Sequence, residues 1–244
     1  MNRTKKMQTI KGLALGALVV VMISSPLYAN ALAGPTTASK SESARLSAII
    51  LKGNQEITRR ITTMNALTTK LNNATKISAA DMVTLTNEVN VTMSGLTTLK
   101  TQLDSETTLA SARTDVADIY TEYRVYAVVA PKISLIKVAD DQQVVQGKLS
   151  ALAIKLQARI TADQQAGKDV AALQSQLTDM TAKTTAGQSI SSSIELSVIG
   201  LQPSDYNANH AVLSGDRAQL KTAHVNNAAA YADAKAIIAG LKSL

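Results

Sequence analysis

The chain contains two histidines, His210 and His224, which are the side chains best suited to binding a metal ion or moving a proton near neutral pH. In a continuous helix, their separation of fourteen residues places them on a similar face but about 21 Å apart. They therefore cannot bind the same metal ion. We interpret both as ordinary surface or boundary residues.

Motifs of catalysis are absent from the sequence. Nucleophilic Ser–His–Asp chemistry needs a glycine-bounded turn or its equivalent, and phosphate or zinc chemistry needs a glycine-rich loop or H-E-x-x-H. The chain has no cysteine, which excludes disulfides and thiolate metal sites. The carboxylates, Asp140 and Asp141 included, are spaced as solvated helix charges. We predict that the protein is not an enzyme and has no catalytic residue, cofactor or metal.

Two stretches differ from the rest of the sequence. One runs from Tyr120 to Lys132 and holds three of the six tyrosines, and the other is Leu201–His210. We expect the two stretches to meet in the folded chain, where the tyrosines either fill a joint between helical bundles or form an interaction patch. The residues of that candidate patch are Tyr123, Arg124, Tyr126, Tyr206 and His210.

The elements that would position these residues are helices. After residue 40, apolar residues recur at alternating steps of three and four, a spacing typical of helices in a bundle or coiled coil. Capping motifs and breaks in this spacing predict six helical segments and no strand. The predicted boundaries are Ser39, Asn73, Ser78, Asp104–Thr107, Pro131, Gly167–Asp169 and Gly200–Ser204.

We therefore predict an all-α protein made of elongated antiparallel bundles. Residues 41–130 and 131–244 are expected to form two tandem three-helix bundles, similar in layout to spectrin-type repeats but without their tryptophan. Pro131 either kinks a continuous helix or lies in the first turn of a new one, since a proline ring is tolerated there.

The N-terminal residues predict export. Four basic residues precede an apolar run from Gly12 to Ile23, and small residues at Ala29, Ala31 and Ala33 fit a cleavage site. We interpret residues 1–33 as a signal peptide and residues 34–40 as a flexible spacer, with an uncleaved membrane anchor as the alternative. The expected location is extracytoplasmic: secreted, periplasmic or on the cell surface.

The charge of the chain falls when this leader is set aside. The full sequence has 25 Lys and Arg against 18 Asp and Glu, and the leader holds four of the basic residues and none of the acidic ones. The remaining basic residues are dispersed among acidic and polar ones rather than clustered on one face. Nucleic-acid binding needs such a cluster, so we do not expect it.

The segments YRVYAVVAPK and LQPSDYNANH resemble parts of a family of exported, all-helical bacterial proteins with no assigned activity. The resemblance extends over most of the mature chain, but only these two segments are specific. It implies export and helicity, and it transfers no catalytic residue.

Our leading functional hypothesis is an envelope-associated structural spacer or protein-interaction module, with a protein or an envelope component as its partner. One alternative is a membrane-active protein of the pore-forming type, based on the apolar stretch Val125–Val138. Another is an extracytoplasmic chaperone or ligand-binding sensor that uses the tyrosine-rich joint.

Overall fold

The computed structural model describes residues 37–244, with side chains from Ser41 onward, and the predicted signal peptide lies outside these residues. The prediction of an all-α fold is confirmed, because the described residues contain helices and no strand. The long helices are α1 (Thr37–Asn72), α2 (Ala79–Ser105), α3 (Leu109–Thr121), α4 (Ala130–Gln165), α5 (Ala171–Ile199) and α6 (Tyr206–Ser243). A π-helical turn (Val125–Val129) precedes α4, and a 3₁₀ turn (Pro203–Asp205) precedes α6.

The first helix boundaries follow the sequence prediction with one correction. α1 begins at Thr37 rather than Ser39, so residues 37–40 of the predicted spacer are helical. Ser78 caps α2 as predicted, because its Oγ accepts a hydrogen bond from the Asp81 N–H at 3.1 Å. The predicted break at Asp104–Thr107 is also present between α2 and α3.

The predicted boundaries of α5 and α6 differ more from the structure. Gly200 has φ −84°, so the predicted left-handed Schellman end of α5 is wrong. Ser204 does not cap the last helix. Gln202 and Asp205 instead cap the 3₁₀ turn, and the Gln202 N–H donates to Asp205 Oδ2 at 2.8 Å. Asp169 accepts from the Ala171 N–H at 3.1 Å, which supports its predicted role at the start of α5.

The break before α4 lies upstream of its predicted position. We expected the third helix to reach Ala130, but α3 ends at Thr121 and the chain turns at Glu122–Arg124. Pro131 lies in the first turn of α4, directly after the π turn. Because its ring crowds the preceding turn and lacks an N–H, a wider turn accommodates it there.

The helices pack in two groups that share a core. α1 packs against α2 and α3, while α4, α5 and α6 pack against one another. One apolar cluster, which we call the junction, combines residues of all six helices, including Met64, Leu96, Ile136 and Ile194. Residues 37–244 form one compact unit, and the division into two domains at Pro131 stays a prediction.

A second apolar cluster, the distal bundle, consists only of residues from α4, α5, α6 and the turn before α5. Buried polar residues lie between the two clusters. Gln146 Nε2 donates to Ser191 Oγ at 3.2 Å, and neither residue is exposed. A Cβ on Gly187 would lie 2.8 Å from Asn227 Oδ1, so this layer needs a glycine for its close packing.

The stretch Val125–Val138, which suggested membrane activity, contributes to the junction. Val125, Val129 and Ile133 are buried there, and Val128 is buried beside them in sequence. Between residues 37 and 244, no helix has the combination of length and apolar character that a membrane crossing requires.

Candidate functional site

The two unusual sequence stretches meet in the structure, because the π turn packs against the 3₁₀ turn before α6. The five residues of the predicted patch are nevertheless divided among three neighbouring places. Tyr126 stacks on an arginine of α1, and Tyr123 lies against α2. Arg124 contacts the Tyr206 ring, which in turn lies beside the His210 ring.

The first place is built around Arg60 of α1. Its guanidinium carbon lies 4.6 Å from the ring centroid of Tyr120 and 5.2 Å from that of Tyr126. Arg60 is only 4% exposed, whereas the two tyrosines are 45% and 47% exposed. Arg60 also donates to Glu56 Oε2 at 2.6 Å, and this hydrogen bond lowers the pKa of Glu56. The buried cation thus holds two half-exposed rings in place.

The second place is built around Arg124, whose φ of 36° is the only positive value at a non-glycine residue among those described. Its guanidinium carbon lies 4.6 Å from the Tyr206 ring centroid, and Nη2 donates to Asn207 Oδ1 at 3.2 Å. The Tyr206 and His210 rings are 5.5 Å apart. These contacts fasten the start of α6 to the turn before the π helix.

The third place is a polar pocket of about 320 Å³ beside Tyr123. A Cβ on Gly95 of α2 would lie 2.5 Å from the Tyr123 ring, so the glycine makes room for this tyrosine. Burial is the main cause that raises the pKa of Tyr123, with smaller contributions from Asp118 and Glu122. Glu88 and Lys132 also line the pocket.

Lys132 joins three helices at this pocket. Its Nζ lies 2.6 Å from Glu88 Oε2 of α2, and it donates to the carbonyl oxygens of Leu201 at 2.6 Å and Ile199 at 3.3 Å. Lys132 is 1% exposed. Burial raises the pKa of Glu88 and outweighs the opposing effect of Lys132. The ammonium thereby satisfies carbonyl groups that the end of α5 leaves without helical partners.

Three carboxylates meet between the same three helices, α2, α4 and α5, about two turns further along α4 than Lys132. Oxygens of Asp81, Asp140 and Glu195 lie within 4.8 Å of one another, a separation at which they could hold a metal ion. Each already accepts a hydrogen bond: Asp81 and Asp140 from Ser78, and Glu195 from Gln143. We therefore assign no metal to this group.

Asp140 corrects the expectation that the carboxylates are solvated. It is 4% exposed, and burial followed by neighbouring carboxylates raises its pKa to about 6, although the hydrogen bond from the Ser78 N–H opposes this. That hydrogen bond, 3.2 Å long, satisfies one of the free N–H groups at the start of α2.

The two histidines are exposed on α6, as interpreted from the sequence. The predicted patch omits Arg60, Tyr120 and Lys132, although Tyr120 and Lys132 bound one of the two unusual stretches. A signal was present for two of them: Arg60 interrupts an apolar seam of α1, and Lys132 interrupts the apolar stretch around Pro131. A cation in such a position needs a buried partner.

Comparison of the chain with family models, with curated proteins and with solved structures finds no match. The resemblance of its two segments to a family of exported helical proteins therefore remains an expectation.

Proposed function

We propose that this protein is a non-enzymatic, helical interaction module that acts outside the cytoplasm and binds an envelope protein through its arginine–tyrosine clusters. The observation that carries this proposal is the position of Arg60. The buried guanidinium of Arg60 packs against the rings of Tyr120 and Tyr126, and about half of each tyrosine is exposed to solvent.

Tyrosine and arginine are the residue types most enriched at the energetic centres of protein interfaces, together with tryptophan, which this chain lacks. A tyrosine held by a buried cation loses little side-chain entropy on binding, so its contact area contributes more fully to affinity. The Tyr126 hydroxyl also lies 3.2 Å from Thr63 Oγ1, which fixes the ring further.

The Arg124 cluster extends the same surface along the chain. Arg124 and Tyr126 are two residues apart, so their Cα atoms are separated by no more than about 7 Å. Four tyrosines therefore surround one turn in a chain that is only 2% aromatic. The partner that fits is a protein surface offering apolar side chains for the rings and acceptors for the tyrosine hydroxyls.

The test compares tyrosines that differ in location but not in exposure. Tyr120→Ala and Tyr126→Ala should reduce retention of the protein on isolated envelope while changing its melting temperature little, because both side chains are half exposed. Tyr231→Ala is the matched control: Tyr231 is 58% exposed and has Lys235 Nζ 5.6 Å from its ring, but it lies far along α6.

Equal retention of all three variants would contradict the proposed surface. A large loss of stability without a separate binding defect would show that the tyrosines only fill a joint, and the spacer hypothesis would then be preferred. Leakage of liposomes caused by the unmodified protein would favour the membrane-active alternative, which requires the buried valines of the π turn to leave the core.

A further inference from the structure

A groove between α1 and the start of α4 shares only Thr63 with the surface proposed above. Its volume is about 610 Å³, within the range of small-molecule sites. Its apolar lining includes Leu67 and Leu71 of α1, Ile77 of the following turn, and Ile133 and Val138 of α4. An open groove with such a lining favours an apolar ligand.

The charges on this groove have a single sign. Lys70 on α1 and Lys137 on α4 both line it, and no acidic residue does. Lys137 and Lys76 are paired with Asp141 at 2.7 and 3.8 Å, but none of the ion pairs of the described residues includes Lys70. The rim therefore attracts an anion, and Lys70 is the cation with no competing partner.

Lys70 and Lys137 lie near the same end of the groove. Contacts of Thr63 with Tyr126, and of Lys76 with Asp141, show that residue numbers rise in the same direction on both walls. Lys70 is seven residues beyond Thr63, which corresponds to about 10 Å along α1. The groove thus has a cationic end and an apolar body.

We propose that this groove binds a single-chain fatty acid, with its carboxylate between Lys70 and Lys137 and its alkyl chain lying toward Thr63. Burial of the alkyl chain supplies most of the affinity, and the ammonium groups orient the ligand. An acidic amphipathic helix would match the charges too. It would, however, need a longer apolar track than the roughly 12 Å between Thr63 and Leu71.

The test is calorimetric titration of the purified full chain with sodium octanoate below its micelle concentration. We expect saturable binding of one molecule per chain, and much weaker binding of octyltrimethylammonium. Lys70→Glu should weaken octanoate binding roughly tenfold, the effect of losing one charge-assisted hydrogen bond. Lys155→Glu, an exposed lysine of α4 outside the groove, should leave the affinity unchanged.

A second variant tests the groove independently of charge. Ser134 is exposed and lines the groove, so Ser134→Trp should fill it and abolish binding without unfolding the protein. Circular dichroism checks the fold of each variant. Absence of saturable binding, equal affinity for the cationic amphiphile, or binding that survives Ser134→Trp would each overturn the proposal.

Discussion

The junction and the distal bundle share α4, α5 and α6 but differ in how they accommodate charged residues. In the junction, Lys132, Asp140 and Arg60 are all at most 4% exposed. In the distal bundle the apolar cluster contains no charged residue, and Lys183 pairs with Asp179 and Asp233 at or near the surface. Asp163 is buried there, but its partners Arg159 and Lys168 are partly exposed. The difference follows from where helices end.

Two helix ends lie inside the junction, and helix ends carry backbone groups without helical partners. The start of α2 receives a carboxylate from Asp140, and the end of α5 receives an ammonium from Lys132. Each charge has the sign that the helix dipole favours. One helix, α4, supplies both residues. These buried charges bind backbone groups that would otherwise lack partners where α2 begins and α5 ends inside the protein.

The largest expected effect comes from Lys132→Met, which leaves Glu88 buried without its cation. We expect a loss of about 3–5 kcal/mol in the free energy of unfolding, measured by urea denaturation. The matched change in the distal bundle, Lys183→Met, should lower the free energy of unfolding far less, because that pair is solvated. A double variant, Lys132→Met with Glu88→Leu, should recover much of the loss. Similar costs for the two lysines would refute the distinction.

Asp140→Asn is expected to change the free energy of unfolding less than Lys132→Met does, and in the opposite direction. The folded pKa, about 6 against an ordinary 3.8, means that ionised Asp140 destabilises the fold by about 3 kcal/mol above pH 6. The native protein should therefore lose stability as the pH rises from about 4 to above 6. The asparagine variant should be more stable at pH 7.5 and show no gain at pH 4.

Asp163 of the distal bundle provides the control for this pH dependence. The hydrogen bonds from Lys168 and Arg159 lower the pKa of Asp163, so its ionised form stabilises the fold. Asp163→Asn should reduce the melting temperature at pH 7.5, and the difference should disappear as the pH falls below the ordinary aspartate pKa. A change in stability of the same sign for Asp140→Asn and Asp163→Asn at pH 7.5 would contradict this contrast.

The smallest effect concerns the polar layer between the two regions. Gly187→Ala should cost about 1–3 kcal/mol, because the new methyl group would press on Asn227 and Gln146. Gly147→Ala on α4 has open space and should instead stabilise the protein by about 0.5–1 kcal/mol. Thermal unfolding of the two variants distinguishes a tightly packed layer from a loose one.

The sequence predicted the fold well where local rules apply. Apolar spacing located the helices, and the Ser78–Asp81 pattern located a cap that the structure confirms. It failed at α3 because Tyr123, Tyr126 and Ala130 continue the apolar spacing past the end of the helix at Thr121. Apolar periodicity shows which residues share one face of a helix. It therefore cannot detect a turn after which the apolar residues still lie on that face.

The candidate site was predicted only in part, for a different reason. Tyr126 and Arg124 were identified by their unusual composition, but Asp140 was taken as solvated. Its partner Ser78 is 62 residues away, and the carbonyl groups bound by Lys132 are 67 and 69 residues away. Local sequence cannot show which helix end will lie beside a charged residue.

The π turn at Val125–Val129 constrains how this chain can vary in length. A π-helical turn bonds to the fifth residue along the chain, so it holds one residue more than an α-helical turn. Loss of one residue there would rotate Arg124 relative to Lys132 by about 100° about the helix axis. The contacts of Arg124 with Tyr206 and of Lys132 with Glu88 could then not coexist. We expect related chains to keep the number of residues in this segment fixed even where individual residue types change.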